Sequence, residues 1–344
     1  MPPVRVVIIG AGAIGGITGA YMARNGVDVT LVEQADDHFE AIRQDGLQID
    51  GIDTFTVRPT ILHPSELRGP LGLVIVAVKT QHTASALDLI QPHLTPESVV
   101  MPLQNGISAL WIAERIGQER TVPSSITTNN FYTSPGHLTY NRKGVVHVGE
   151  SDGRVTPRVE EIVQLLSYAY DAHASDNVWG YIWSKMVAGS MTFTTALVDA
   201  PMGAILTKSD RHKRMFARIG SETAAVAQAR GVRLEPGDDL DPNGLLPGVS
   251  ESTMLREVDR FAEHAMNVYS GVWRDIAVRK RRTEGDTLIG PLIDEGARQG
   301  VAMPLNRAMR QLLADVEDGK RPQAWDNLDE LIAIAEREPS ASRG

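Results

Sequence analysis

The sequence predicts an α/β protein whose second domain is entirely helical. In the first half of the chain, short β-branched apolar runs alternate with helix-type periodic segments, which is typical of a parallel sheet. Beyond Asp176 these runs stop, and the pattern stays helical almost to Leu331. We therefore place the first domain at 1–176 and the helical domain at 177–338, and expect a frayed tail at 339–344.

The first predicted element is a strand that leads through a tight turn into a helix. The run VRVVIIG ends in GAGAIG, and an apolar-periodic segment follows. Gly10 permits the turn, Gly12 lets the backbone approach a pyrophosphate, and Gly15 lets the helix pack close to the strand. This spacing predicts a Rossmann dinucleotide-binding domain, with the cofactor bound by Gly10, Ala11, Gly12, Ala13, Ile14 and Gly15.

The second predicted strand, VDVTLVE, ends in the carboxylate of Glu33. An acidic residue about 20 positions beyond the glycines accepts hydrogen bonds from the adenosine ribose and repels a 2′-phosphate. No arginine follows closely, and Asp36 and Asp37 add negative charge. We therefore expect NAD(H) to be favoured over NADP(H). The alternative is an ordinary exposed glutamate at a strand end.

Two later buried strands end in polar residues that face the same edge of the sheet. Lys79 follows the run LGLVIVAV, and Asn105 follows the run SVVMPLQ. Ligands of open α/β sheets bind at the carboxyl ends of the strands, so both residues are predicted to point at the same crevice as the glycine-rich turn. The alternatives are a solvated lysine and a turn formed by the Asn-Gly pair.

The rest of the first half predicts less regular elements. Residues 48–62 form a short β excursion, and residues 157–170 are helical by spacing. Residues 121–148 alternate and contain two Gly turns, so we expect two or three antiparallel strands that close the sheet.

Composition narrows the function class. The chain has 344 residues, a net charge of −9 and no cysteine. The charge argues against a general nucleic-acid surface, and the missing cysteine excludes disulfides and thiol nucleophiles. No stretch approaches the roughly 20 apolar residues of a membrane helix, and no signal peptide is recognised. We expect a cytoplasmic enzyme with no metal site, because the histidines show no paired ligand spacing.

Two charged residues in the helical half are candidates for chemistry. Lys185 lies near Trp183 and Met186, and loss of water around a lysine lowers its pKa and suits it to proton transfer. Glu284 follows the basic run 279–283. The alternatives are a solvated helix lysine and a solvated charged face.

The chain resembles the ketopantoate reductase family (2-dehydropantoate 2-reductases) over nearly its whole length. The resemblance rests on GAGAIG, VAVK, LQNG, WSKM, RRTEGD and GVAMPLNRAM. It implies that Lys185 is the general acid that protonates the carbonyl oxygen, and that Glu284 helps to position cofactor and substrate. It also implies that Asn105 contacts the nicotinamide and the substrate, and that Lys79 contacts the cofactor.

The chain departs from the family at the substrate. Members that use NADPH commonly carry an arginine where this chain has Glu33. Asparagines that hold the substrate are replaced at Gly189, at Thr192 or Phe193, and near Met202. Ser270 is the nearest counterpart of the family's substrate serine.

These observations predict an oxidoreductase that transfers hydride between NAD(H) and the carbonyl or hydroxyl of a 2-oxo acid or related small substrate. Three alternatives stay open: a true ketopantoate reductase of pantothenate synthesis, an NAD-dependent dehydrogenase of a larger hydroxy compound, and a non-catalytic NAD(H) sensor. Family members often dimerise through the helical half, so we expect a homodimer with neither nucleic-acid nor membrane partners.

Overall fold

The computed structural model describes residues 5–337, so the predicted tail at 339–344 lies outside the described residues. The chain divides into two compact units, one through Val178 and one from Trp179. The strands are β1 Val6–Ile9, β2 Val29–Val32, β3 Leu47–Gly51, β4 Phe55–Val57, β5 Thr60–Leu62, β6 Leu71–Val76, β7 Leu94–Pro102, β8 Ser124–Ser134, β9 His137–Val148 and β10 Asp171–Ala174. The helices are α1 Gly15–Arg24, α2 Asp36–Asp45, α3 Thr83–Ile90, α4 Ser108–Ile116, α5 Pro157–Leu166, α6 Val178–Thr195, α7 Met202–Leu206, α8 Asp210–Ala229, α9 Glu251–His264, α10 Gly271–Ala277, α11 Gly285–Arg298, α12 Pro304–Glu317 and α13 Asp326–Arg337.

The first unit contains a five-stranded parallel sheet in the order β5-β2-β1-β6-β7. Its central strands are unbroken apolar runs because both faces of the sheet are buried. Val6 and Ile8 point into one hydrophobic core, whereas Val7 and Ile9 point into another. The strand order reverses between β1 and β6, so the crevice for a ligand lies at the carboxyl ends of these two strands.

The expectation that residues 121–148 close this sheet is wrong. β8 and β9 do form an antiparallel hairpin, but β9 pairs in parallel with β3 and β10 in a second sheet. The inward residues of β9, among them Leu138 and Val146, are buried in the same core as Ile17 of α1. The hairpin therefore covers α1 with its apolar face and does not extend the parallel sheet with its edge.

The helix predicted at 157–170 is shorter in the structure. α5 ends at Leu166, and the chain then leads into β10. Tyr170, just before β10, is fully buried, and its hydroxyl lies 2.9 Å from the hydroxyl of Thr18 in α1. This contact joins two parts of the sequence 152 residues apart inside the core of the first unit.

The second unit consists of α7 to α13 and all but the first residue of α6, as the helical pattern beyond Asp176 predicts. α6 buries Ile182, Trp183, Met186 and Val187 on one face. Among residues 5–337, no helix has the length and apolar character needed to cross a membrane. The predicted fold class, an α/β domain with a parallel sheet followed by a helical domain, is confirmed.

Candidate active site

The glycine-rich turn connects β1 to α1 at the reversal point of the sheet, and its three glycines serve different steric needs. Gly10 has φ +95°, a left-handed value that L side chains rarely adopt. A Cβ on Gly15 would lie 2.0 Å from the carbonyl oxygen of Gly10 and 2.9 Å from Ala77 Cβ. A Cβ on Gly12, by contrast, would meet no other described atom within 4 Å. The turn is tight at both ends and open in the middle, which fits a bound pyrophosphate.

The N-terminus of α1 is suited to an anion. Ile14 is the N-cap residue and makes no side-chain capping bond, and the first turn of the helix contains no acidic residue. The first N–H groups of a helix have no partner within the helix, and the helix dipole is positive at this end. A phosphate group beside the turn would supply both the missing acceptors and the negative charge.

Glu33 lies at the end of β2, where the sequence predicts it, but its carboxylate is also part of the turn. Its Oε2 accepts a hydrogen bond of 2.8 Å from the backbone N–H of Ala11. Its Oε1 accepts hydrogen bonds from the backbone N–H groups of Gln34 and Ala35, at 2.8 and 2.9 Å. An ionised carboxylate has about four acceptor sites, so one is left for a ribose hydroxyl.

Lys79 and Asn105 follow β6 and β7 at the carboxyl edge of the same sheet, and the two loops are tied together. The amide Nε2 of Gln104 donates to the carbonyl oxygen of Val78 at 2.7 Å, and Thr80 Oγ1 lies 3.4 Å from the carbonyl oxygen of Asn105. Lys79 is exposed and Asn105 is half-buried. Both predicted cofactor residues thus lie at the same edge of the sheet as the glycine-rich turn.

Two residues that contact the turn carried no signal in the sequence. His38 in α2 is buried, and its Nε2 lies 2.9 Å from the carbonyl oxygen of Ala11. Asn130 in β8 donates from Nδ2 to the carbonyl oxygen of Ala13 at 3.1 Å. Neither position belongs to a motif, and the hairpin that carries Asn130 was expected elsewhere.

In the second unit, Lys185 lies on the half-exposed side of α6. Tyr181, Ala188 and Gly189 share this side, whereas the neighbouring apolar residues of the sequence face the core. Burial of the ammonium group lowers the pKa of Lys185 to about 8, and the carboxylate of Glu284 opposes this change. The structure therefore brings Lys185 and Glu284 into electrostatic contact within one unit.

Thr283, the residue before Glu284, makes hydrogen bonds at the start of α11. Thr283 Oγ1 accepts a hydrogen bond of 3.0 Å from the N–H of Gly285 and donates to Glu317 Oε1 at 2.5 Å. Thr283 thereby satisfies the start of α11, and the side chain of Glu284 makes no capping bond although it occupies the N-cap position. The carboxylate of Glu284 interacts electrostatically with Lys185.

Ser270 has a structural partner. It is the N-cap of α10, and its Oγ accepts a hydrogen bond of 3.0 Å from the N–H of Trp273. The serine is buried. Its contact with substrate stays a prediction.

The positions of the replaced asparagines fall into two groups. Phe193 and Met202 are buried in the second unit. Gly189 and Thr192 share the half-exposed side of α6 with Lys185. A Cβ on Gly189 would have no neighbour within 4 Å in the described chain, so the space one helical turn beyond Lys185 is open.

The basic run before Glu284 is held by carboxylates. Arg279 and Arg281 both bind Asp275, at 2.7 and 2.9 Å, and Arg282 pairs with Glu317 and Asp318.

Within residues 5–337, no group of three or more acidic or histidine side chains is arranged to hold a metal ion.

Comparison with known proteins identifies the relationship. The family described as "Ketopantoate reductase PanE/ApbA" matches residues 6–153, and its C-terminal part matches residues 177–317. The 2-dehydropantoate 2-reductase of Halobacterium salinarum is 27% identical over 315 residues, which is 90% of this chain and 97% of that protein.

Solved structures agree with the sequence relatives. A PanE/ApbA family ketopantoate reductase from Ralstonia eutropha has a TM-score of 0.76 and 26% identity, covering 92% of this chain and 99% of that one. A D-mandelate dehydrogenase solved with NADH and anilino(oxo)acetate has a TM-score of 0.75 with the same coverage, and its 23% identity shows a common fold. The chain belongs to the ketopantoate reductase family of oxidoreductases.

Proposed function

We propose that the protein transfers hydride between NAD(H) and the carbonyl or hydroxyl carbon of a 2-oxo or 2-hydroxy acid, with Lys185 as general acid and base. The observation that carries the proposal is Lys185, whose pKa is lowered to about 8 by burial beside the carboxylate of Glu284. A proton donor works best when its pKa lies near the working pH. A binding protein that only senses NAD(H) has no need of such a lysine.

The cofactor would be held by the first unit. The open backbone at Gly12 and the uncapped start of α1 would bind the pyrophosphate, and the carboxylate of Glu33 would accept a hydrogen bond from a ribose hydroxyl. The carboxylate disfavours NADP(H) because a 2′-phosphate beside it would place like charges in contact. When bound, the nicotinamide supplies or accepts the hydride.

Lys185 handles the proton. In the direction of reduction, its ammonium donates a proton from Nζ to the carbonyl oxygen, which prevents a full negative charge from forming there. Glu284 favours the charged form of Lys185 and so keeps a proton available at neutral pH. In the direction of oxidation, neutral Lys185 accepts the hydroxyl proton.

The Lys185→Ala variant tests this role. We expect turnover to fall by about 10²-fold or more, since a positioned acid contributes on the order of 10²–10⁴. NADH affinity should change little, and titration of NADH fluorescence measures it. Turnover within a few-fold of the wild-type rate would contradict the proposal. Tight NADH binding without consumption of any 2-oxo acid would favour the sensor.

The identity of the substrate is a separate question, and two observations favour different substrates. The relative from Halobacterium salinarum is named 2-dehydropantoate 2-reductase, which favours that substrate. The open space at Gly189 favours a larger or less polar substituent, because no amide there can bind the substrate. Values of kcat/KM for 2-dehydropantoate and for a 2-oxo acid with an aromatic substituent decide between them. We expect Gly189→Asn to shift this ratio towards 2-dehydropantoate.

A homodimer and a cytoplasmic location complete the proposal. The family resemblance and the net charge of −9 support a soluble assembly that acts on small molecules. Light scattering should give twice the mass of the chain, and a monomer at micromolar concentration would contradict the dimer.

A further inference from the structure

We propose that His38 is a positioning residue for the dinucleotide-binding turn: it fixes the peptide between Ala11 and Gly12 so that the Gly12 N–H faces the cofactor. The inference rests on the proposed cofactor site and goes beyond it, because it gives a role to a residue outside every motif. His38 lies in the first turn of α2, and only 1% of its surface is exposed.

The hydrogen bonds of His38 show which nitrogen of the neutral ring carries the hydrogen. Its Nδ1 accepts from the backbone N–H of Gly136 at 2.9 Å, so Nδ1 carries no hydrogen. The hydrogen of the neutral ring is therefore on Nε2, which donates to the carbonyl oxygen of Ala11 at 2.9 Å. The ring joins the turn of the β8–β9 hairpin to the glycine-rich turn, and both of its nitrogens are used.

The bond to Ala11 orients the donor that follows it. In a trans peptide the C=O of one residue and the N–H of the next point in opposite directions. When His38 holds the carbonyl of Ala11, the N–H of Gly12 must point the other way. Gly12 has no neighbour within 4 Å of a Cβ position in the described chain, so this is also the open part of the turn.

The remaining bonds to the turn have the same effect. Glu33 holds the N–H of Ala11, so both polar groups of that residue are fixed. Asn130 holds the carbonyl of Ala13, which turns the N–H of Ile14 away in the same manner. Pre-organised donors save the ordering cost that a free loop would pay when it binds an anion.

Two substitutions separate the two bonds of His38. In His38→Gln the amide Nε2 can still donate to Ala11, and the bond from Gly136 is lost. In His38→Asn the amide oxygen can still accept from Gly136, and the bond to Ala11 is lost. A positioning role predicts different NADH affinities for the two variants, whereas a purely structural role predicts similar losses of stability and no difference in affinity.

We expect His38→Asn to raise the KM and Kd for NADH about tenfold. This factor corresponds to about 1.4 kcal/mol, which lies within the range for the loss of one hydrogen bond. At saturating NADH its kcat should stay within about twofold of the wild-type value. His38→Gln should keep the KM within about threefold. His173→Asn, on the exposed strand β10, serves as the control and should leave all values unchanged.

The outcomes distinguish this inference from the proposed function. If the wild-type protein binds no NADH, or if Gly12→Ala binds it as tightly as the wild type, the cofactor site itself is wrong. If Gly12→Ala weakens binding and His38→Asn does not, only the role of His38 is overturned. Should His38→Asn be too unstable to assay, His38→Gln still decides, because a tenfold rise in its Kd contradicts a role carried by the Ala11 bond.

Discussion

At the scale of single residues, the role proposed for Lys185 is to deliver a proton, and its surroundings set the pH at which it can do so. Its ammonium loses water on the helix that carries it, and the carboxylate of Glu284 recovers part of that cost. The resulting pKa of about 8 leaves most molecules protonated at pH 7 and allows the proton to leave within a unit or two of that pH.

The pH dependence of turnover follows from this pKa. Reduction needs protonated Lys185, so kcat for reduction should fall as the pH rises through about 8. Oxidation needs the neutral amine, so its kcat should rise over the same range. Initial rates from pH 6 to pH 10 in both directions measure the two profiles. Profiles that run parallel in the two directions would contradict a shared acid and base.

In the proposed function, Glu33 is the residue that gives the preference for NAD(H) over NADP(H). In Glu33→Gln the negative charge is lost, and an amide cannot accept three backbone N–H bonds as the carboxylate does. We expect the ratio of kcat/KM for NADPH to that for NADH to rise by about tenfold or more, with a higher KM for NADH. Asp36→Asn, on the exposed surface of α2, is the control for a general charge effect. An unchanged ratio would mean that Glu33 does not discriminate.

At the scale of elements, the unit formed by β1, the glycine-rich turn and α1 separates packing from binding. Gly15 is needed because any side chain would collide with the carbonyl of Gly10, whereas Gly12 lies in open space. Stability and cofactor affinity should therefore depend on different glycines of one motif.

Two alanine substitutions test this separation. Gly15→Ala should destabilise the protein by several kcal/mol, because a Cβ at 2.0 Å from a backbone oxygen forces the helix away from the strand. Gly12→Ala should melt within about 2 °C of the wild type and bind NADH at least tenfold more weakly. Thermal melts and NADH titrations of both variants provide the comparison. Equal effects on stability would show that the turn is one packing unit.

At the scale of the whole molecule, the sequence predicts whatever a local pattern encodes. The parallel strands, the glycine-rich turn, Glu33 and Lys79 could be placed because unbroken apolar runs and strand ends are visible in the chain. The second sheet could not be placed, because the pairing of β9 with β3 and β10 depends on contacts between distant segments. β10 itself, with the sequence DAHA, has almost no strand signal. His38 and Asn130 were missed for the same reason, since their partners lie far away in sequence.

The desolvated ammonium of Lys185 should lower the free energy of unfolding of the whole chain. At pH 7 the folded state holds a desolvated ammonium. The lowering of its pKa from 10.5 to about 8 corresponds to a destabilisation of at most about 3 to 4 kcal/mol. Lys185→Met should therefore raise the free energy of unfolding at pH 7. Between pH 8 and 10.5 the native lysine loses its proton before the unfolded one does, so wild-type stability recovers and the advantage of methionine shrinks.

Urea unfolding of both proteins at pH 7 and pH 9.5 measures the two differences. Lys143→Met, at an exposed site in β9, should change neither. A methionine variant less stable than the wild type at pH 7 would contradict this prediction. It would show that the contacts of Lys185 stabilise the folded protein.

The late position of β10 determines how the protein can fold during its synthesis. The glycine-rich turn is synthesised more than 150 residues before Tyr170 and β10, which complete the core around α1. At typical elongation rates this delay is on the order of 10 seconds. During that time the apolar faces of α1 and of the β8–β9 hairpin lack their last covering segment. The nascent chain should accordingly bind holding chaperones until residue 174 has emerged, and a slower translation of residues 100–170 should lengthen that exposure.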